Sequence, residues 1–485
     1  MGVRTGQQYL REIGQRRREL WIGGKKISSG ITEHPAFRQI ARTMAALYDM
    51  QHEEGLVEKM TFISPQTGER TGMSFLTPRS ADDIHRRAAM MRIWAEFSGG
   101  MLGRTPDYLN SDIMAMASAA EYFGAAGRQY GENIRHYYEY ISERDLLLTH
   151  TLINPQVNRS APPSQLQDPY IAARIVEKRQ DGVVVRGARM LATFPLADEI
   201  IVFPSTVIRN AREDAPYAMA FALPVDTPGL KFICREPMCA ESSADHPLSY
   251  RFDEQDAVVV FDDVLVPEDR IFLLEDVERA NRLHEATDAV VHMSHQVVVR
   301  DVVKTEFMLG IMSLMADSIG IEQFQHVQEK IAKVIMILES MRALLIAAET
   351  GARLNRWGVM TPDFRFLNVA RNIYPRVYPE IREMIQQLGA SGLIALPTEA
   401  DFSSSIGRDI EKYFQGRNAT AREKVELFRL AWDVAGSSFG SRQELYERFF
   451  FGDPVRMASA LFSSYDATPC RESVKRFLAR AGKGV

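Results

Sequence analysis

The sequence predicts an α+β protein built in three successive parts. Three observations carry that prediction. Apolar residues recur at three- and four-residue steps over residues 1–150. Short apolar runs separated by turn residues fill residues 151–275. Long helical stripes return over residues 276–485. At 485 residues the chain exceeds one ordinary core, so two or three domains are expected.

In the first part Pro35 stands where a first helical residue would, before Phe37, Ile40, Met44 and Leu47 on one face. Ser80 with Asp83 has capping-box spacing, followed by Ile84, Ala88, Met91 and Ala95. The Ala- and Met-rich run from Asp112 to Phe123 suits a buried helix. After Asn154-Pro155 the texture changes. Arg174 to Arg189 reads as a hairpin about Asp181-Gly182. Ile200 to Phe203, Tyr217 to Leu223 and Ala257 to Phe261 read as further strands. In the third part Ile331, Val334, Ile335, Leu338, Met341 and Leu345 share one stripe of a helix over Val327 to Ala348. Gly389, Gly392 and Pro397 mark a break, and a last helical segment holds Val425, Phe428 and Trp432.

Composition narrows the function. Net charge is -5, from 58 basic and 63 acidic residues, and no basic tail stands out, so nucleic acid is not an expected partner. No apolar run is long enough to cross a membrane, and the first twenty residues lack a secretory apolar core. Three cysteines, Cys234, Cys239 and Cys470, make no disulfide framework and suit a reducing cytoplasm. His292 and His295 lie i, i+3 on a helix without an Asp, Glu or Cys cluster, which favours a structural role over a metal site. No dinucleotide-binding glycine fingerprint stands out.

Two stretches carry chemistry. Leu102 to Asn110 sets a cation, Arg104, and a phenol, Tyr108, four residues apart at a loop entering a helix. Thr149 to Arg159 sets a lone histidine, His150, in a polar, proline-interrupted segment. By residue type alone these are a surface arginine, a packing tyrosine and a structural histidine. Together, guanidinium, phenol and imidazole can bind and deprotonate a weakly acidic hydroxyl.

The order helical, β, helical, closed at Phe261 to Pro267, resembles the acyl-CoA dehydrogenase-like flavoproteins. Within that architecture GRTPDYLN (103–110), THTLINPQVNR (149–159), RMLATFPLADE (189–199) and RQELYERFFFGDPVRM (442–457) resemble the 4-hydroxyphenylacetate 3-monooxygenase family, the oxygenase component of two-component flavin systems. The resemblance runs essentially end to end. It implies an N-terminal helical domain, a middle β-barrel domain and a C-terminal four-helix bundle. The implied function is hydroxylation of 4-hydroxyphenylacetate, or a related phenol, ortho to the hydroxyl, giving a catechol. O2 is the cosubstrate, a C4a-hydroperoxyflavin the oxidant, and FADH2 comes by diffusion from a separate NAD(P)H:flavin reductase. The family's usual assembly is a homotetramer with the C-terminal bundle as its interface.

Residue by residue, the resemblance places Arg104, Tyr108 and His150 at the phenol, with His150 as its base or hydrogen-bond partner. Ser205 and Thr206 face the substrate carboxylate. The flavin is met by Arg104, Thr105, Pro106, Asp107, Tyr108, His150, Thr151, Leu152, Gln156, Val157, Asn158, Arg159, Thr193, Gly452, Asp453, Pro454, Val455 and Arg456. Phe449, Phe450 and Phe451 read as core packing. The competing readings are a 4-hydroxybutyryl-CoA dehydratase-like protein, an acyl-CoA dehydrogenase-like flavoprotein with tightly held FAD and a glutamate base, and a helical scaffold without catalysis. The dehydratase type needs three cysteines and a histidine for an iron–sulfur cluster, and segments 99–110 and 292–300 hold no cysteine.

Overall fold

The computed structural model describes residues 2–205, 208, 212–238 and 242–481. Its N-terminal helices are set by local signals. Ser80 accepts from the Asp83 amide, and the Asp83 carboxylate accepts back from the Ser80 amide. That reciprocal cap starts the helix Ala81–Phe97. Pro35 does not open a helix. It sits in a run of turns closed by the Phe37 and Arg38 amides on the His34 carbonyl, and the helix is Arg38–Asp49. The stripe Ile40, Met44 and Leu47 is buried as expected. The helix Pro106–Ser118 has Pro106 at its first position, and every residue from Pro106 to Ala117 is buried.

Residues 1–150 are not wholly helical. Glu19–Ile22 and Lys25–Ile27 form a hairpin whose turn residues, Gly23 and Gly24, both take positive φ. The first of these strands then pairs in parallel with Leu230–Cys234. The local signal, Gly23-Gly24 between two short runs, is present in the sequence.

The middle part holds two sheets. One has six strands in the order Lys25–Ile27, Glu19–Ile22, Leu230–Cys234, Asp256–Pro267, Gly182–Thr193 and Arg174–Arg179. The other has four, in the order Ile271–Leu274, Met219–Pro224, Glu199–Val202 and Leu148–Thr151. Phe221 and Phe261 meet edge to face between them, 6.1 Å apart. The expected barrel is therefore corrected: among the described residues the strands form two open sheets, with no closure. Short alternating strands are compatible with either arrangement, and only long-range pairing decides between them. The Asp181-Gly182 hairpin holds, with Lys178 opposite Val183.

The C-terminal part packs Ala289–Ile319, Gln325–Thr350, Phe364–Gly389 and Ala421–Ala435 as four long helices. Val334, Leu338 and Met341 are buried, but Ile335 is 44% exposed, so the expected stripe is only partly a core face. The segment with Phe428 is not the last: helices Ser438–Phe449, Pro454–Ser464 and Thr468–Ala481 follow. Ala289–Ile319 also packs on Pro106–Ser118 and Ala81–Phe97, which joins the bundle to the loop carrying Arg104.

Candidate active site

The loop before Pro106 is held by backbone contacts. Glu254 accepts the Gly103 and Arg104 amides at 3.0 and 2.6 Å. Arg442 in turn pairs with Glu254 at 3.2 Å and with Asp256 at 2.7 Å. Although burial opposes ionisation of Asp256, the Arg442 and Arg235 guanidinium groups hold it well below the usual carboxylate range. Arg104 is buried. Its Nη1 donates to the Gly103 carbonyl at 3.1 Å and to the Tyr446 hydroxyl at 2.9 Å. Its guanidinium lies 5.1 Å from the Tyr108 ring centre and 5.3 Å from that of Phe450.

His150 stands on the edge strand Leu148–Thr151, whose four residues are all buried. Its ring is 6.1 Å from Tyr108 and 5.8 Å from Phe203. The Nδ1 atom is buried and has no hydrogen-bond partner among the described residues. Burial, with Arg104 and His284 adding, pushes the imidazole well below its ordinary pKa. The ring is neutral at pH 7, the form that accepts a proton. Burial pushes the Tyr108 phenol the other way, well above its ordinary value, so it stays protonated and can donate. Beyond Phe203 lies His284, 5.0 Å from it, and His284 Nε2 is 3.9 Å from the buried Asp112 carboxyl.

The structure thus brings Arg104, Tyr108 and His150 together, as the sequence suggested. Thr105 and Asp107 join through Gln296, whose Nε2 donates to them at 3.3 and 3.2 Å. Burial lifts Asp107 to about 6 despite those contacts. Thr149 hydrogen-bonds the Thr193 carbonyl, and the Thr193 hydroxyl donates to Asp256 at 2.8 Å. Thr151 donates to the Met190 carbonyl at 2.7 Å, and the Leu152 carbonyl accepts from the fully buried Arg189.

Other expected residues lie apart. Gln156, Val157, Asn158 and Arg159 are exposed on a loop, with Asn158 accepting from Ser160. No hydrogen bond or ring contact among the described residues ties them to Arg104, Tyr108 or His150. Ser205 is half-buried just past Phe203, and Thr206 lies outside the described residues. Gly452 has φ 115°, and Asp453 caps the helix Pro454–Ser464 by accepting the Val455 and Arg456 amides at 2.9 and 3.1 Å. Val455 is exposed.

The reading of Phe449 to Phe451 as core packing is corrected for Phe449, which is exposed. Phe450 and Phe451 do pack against the core, and the Phe450 ring, tilted 5.3 Å from Tyr108 and 4.7 Å from Tyr446, also belongs to the site. His292 contacts Arg87 and Thr361, and His295 contacts Glu349 at 2.8 Å. Cys234 is buried, which raises its thiol to about 12. Cys239 lies outside the described residues.

Sequence reasoning missed Tyr446, Glu254, Gln296 and Arg300, which hold the site from behind. Tyr446 sits inside a motif already singled out, but its partner Arg104 is 342 residues away. The donors at the cluster, a guanidinium and a protonated phenol, together with its aromatic faces, suit a flavin.

Comparison with known proteins agrees. Residues 5–273 match the family described as 4-hydroxyphenylacetate 3-hydroxylase N terminal, and residues 280–479 the corresponding C-terminal family. The chain is 51% identical over 482 residues to the 4-hydroxyphenylacetate 3-monooxygenase oxygenase component of Thermus thermophilus, covering 99% of this chain and 98% of that one. It superposes with a TM-score of 0.95, at 50% identity and 99% coverage of both chains, on a crystal structure of such an oxygenase component complexed with FAD and 4-hydroxyphenylacetate. An archaeal 4-hydroxybutyryl-CoA dehydratase shares the fold, with a TM-score of 0.87, 21% identity and coverage of 98% of this chain and 95% of that one. The buried Arg104–Tyr108–His150 cluster and these end-to-end matches agree, and the chain belongs to the 4-hydroxyphenylacetate 3-hydroxylase family.

Proposed function

We propose that this protein is an FADH2-dependent monooxygenase that converts 4-hydroxyphenylacetate to 3,4-dihydroxyphenylacetate. The observation that carries the reading is the meeting of Arg104, Tyr108 and neutral His150 in one buried, aromatic-walled cluster. A separate reductase supplies the reduced flavin, in keeping with the relatives' designation as oxygenase components. When bound, the reduced flavin activates O2 for transfer of one oxygen atom.

The chain's own groups prepare the phenol. Arg104 has Nη1 engaged with Tyr446 and Gly103, and Nη2 carries no hydrogen bond among the described residues, which leaves it as the donor toward a phenolic oxygen. Tyr108, kept protonated by burial, supplies a second donor. An unprotonated nitrogen of His150 takes the phenolic proton, which enriches the ortho carbon in electron density. That carbon forms the new C–O bond and loses its hydrogen as a proton. The second oxygen atom of O2 leaves as water, with two electrons from the reduced flavin. The buried walls exclude water that would otherwise compete.

Ser205 and Thr206 are the proposed contacts for the substrate carboxylate. Gln156, Val157, Asn158, Arg159, Thr193 and residues 452–456 are the proposed flavin contacts. Thr193 donates its proton to Asp256, so its oxygen can still accept from the ring. Exposed Met336, Ile346, Phe462, Phe477 and Leu478 on C-terminal helices support a homotetramer joined through that part. The reading is tested by supplying the protein with FADH2 from an unrelated flavin reductase, O2 and 4-hydroxyphenylacetate. A catechol product is expected. Flavin oxidation without catechol from this or any other phenol contradicts the reading.

A further inference from the structure

The helix Ser438–Phe449 clamps the loop that carries Arg104 at three points. Gln443 donates to the Met101 carbonyl at 2.8 Å. Arg442 holds Glu254, which accepts the Gly103 and Arg104 amides. Tyr446 reaches furthest. Its hydroxyl accepts from Arg104 at 2.9 Å and from Arg300 at 3.2 Å, and lies 3.3 Å from the Gly103 carbonyl, to which it donates. One phenol oxygen is therefore fully satisfied by two cations and a carbonyl.

The surroundings are built for this contact. A side chain at Gly103 would put its Cβ 2.6 Å from the Tyr446 ring, so glycine is what lets the loop come so close. Arg300 is fixed in turn by Asp301 at 3.0 Å and Glu447 at 2.8 Å, and Lys304 holds the other Glu447 oxygen at 2.7 Å. All four of these charged groups are buried. The carboxylates of Asp301 and Glu447 thus hold Arg300 in place beneath the Tyr446 hydroxyl. The Tyr446 ring also backs Phe450, which backs Tyr108.

We propose that Tyr446 is a positioning residue for the hydroxylation: it fixes the Arg104 guanidinium so that the free side of the fork faces the phenol, with Arg300 and Glu447 as its anchor. This rests on the role given to Arg104 above. It predicts that Tyr446 acts only through Arg104, which a double-mutant cycle reads directly.

The variant is Tyr446→Phe, which keeps the ring and its contact with Phe450. It is made in the wild type and in Arg104→Ala, with Arg104→Met as a second background. In the wild type, kcat/KM for 4-hydroxyphenylacetate should fall about tenfold, with less product per FADH2 consumed, and in either Arg104 variant by less than about twofold. FAD affinity and melting temperature should hold. An equal loss in all backgrounds, a parallel loss of FAD binding, or no loss in the wild type overturns the proposal. If Arg104→Ala alone is fully active, the assigned role of Arg104 fails and the proposal falls with it. If Arg104→Ala is crippled while Tyr446→Phe is silent, the proposal alone fails.

Discussion

At the scale of single residues, burial controls the chemistry. His150 is the proposed base because it stands in the segment THTLINPQVNR, which resembles the family's, and the fold then makes it neutral. Replacing it by alanine removes the proton acceptor, and product formation should fall by about a hundredfold or more while FAD still binds. Steady-state product assays with equilibrium flavin titration check this. The sign of the pH dependence follows from the same burial. Since the folded-state imidazole is held well below its ordinary value, acid silences it only below the usual imidazole range. The acid limb of kcat/KM should therefore fall well below about 6.5, with a plateau from there to pH 8. A limb centred at or above 7 would contradict the assignment. The histidine itself was legible in the sequence, but its pKa was not, because that depends first on its burial by the fold and then on Arg104 and His284 being brought near it.

At the scale of elements, legibility follows the distance between partners. The Ser80–Asp83 box and the Asp181-Gly182 hairpin were readable because each is closed within a few residues. The hairpin at Gly23-Gly24 carried an equally local signal, yet its membership of the central sheet depends on Leu230–Cys234, two hundred residues on. Phe450 was taken for core packing because aromatic runs usually are core. Only the approach of Ser438–Phe449 to Pro106–Ser118 puts its ring against Tyr108. The helix Pro454–Ser464 offers a test at this scale. Asp453→Ala removes the acceptor of two first-turn amides and should cost that helix about 1 kcal/mol. Because Gly452 to Arg456 is assigned to the flavin, the same variant should weaken FAD binding, read by flavin fluorescence titration, with little change in the overall melting temperature.

At the scale of the whole molecule, one charged node ties three parts of the chain together. Arg442, from a C-terminal helix, pairs with Glu254 and Asp256 at the start of a central strand, and Glu254 carries the backbone of the Arg104 loop. Removing the arginine leaves two largely buried carboxylates without their main partner. Arg442→Ala should destabilise the protein by about 3–5 kcal/mol, seen in denaturant unfolding, and should lower hydroxylation with it. Loss of activity without loss of stability would mean the node serves the site alone. The long helices and the Asp181-Gly182 hairpin were legible from periodicity and turn residues, and the end-to-end motifs carried the family. The two open sheets and the central node were not, because both are made of pairings remote in sequence. Among the described residues no helix is long and apolar enough to cross a membrane.

The proposed reaction places one atom of O2 on the ring of 4-hydroxyphenylacetate. The most direct measurement mixes the protein with anaerobic FADH2 and 4-hydroxyphenylacetate, admits ¹⁸O2, and weighs the product by mass spectrometry. The product should be 3,4-dihydroxyphenylacetate carrying one heavy oxygen, and His150→Ala should abolish it. Unchanged substrate beside fully oxidised flavin, or a catechol whose new oxygen comes from water, would contradict it.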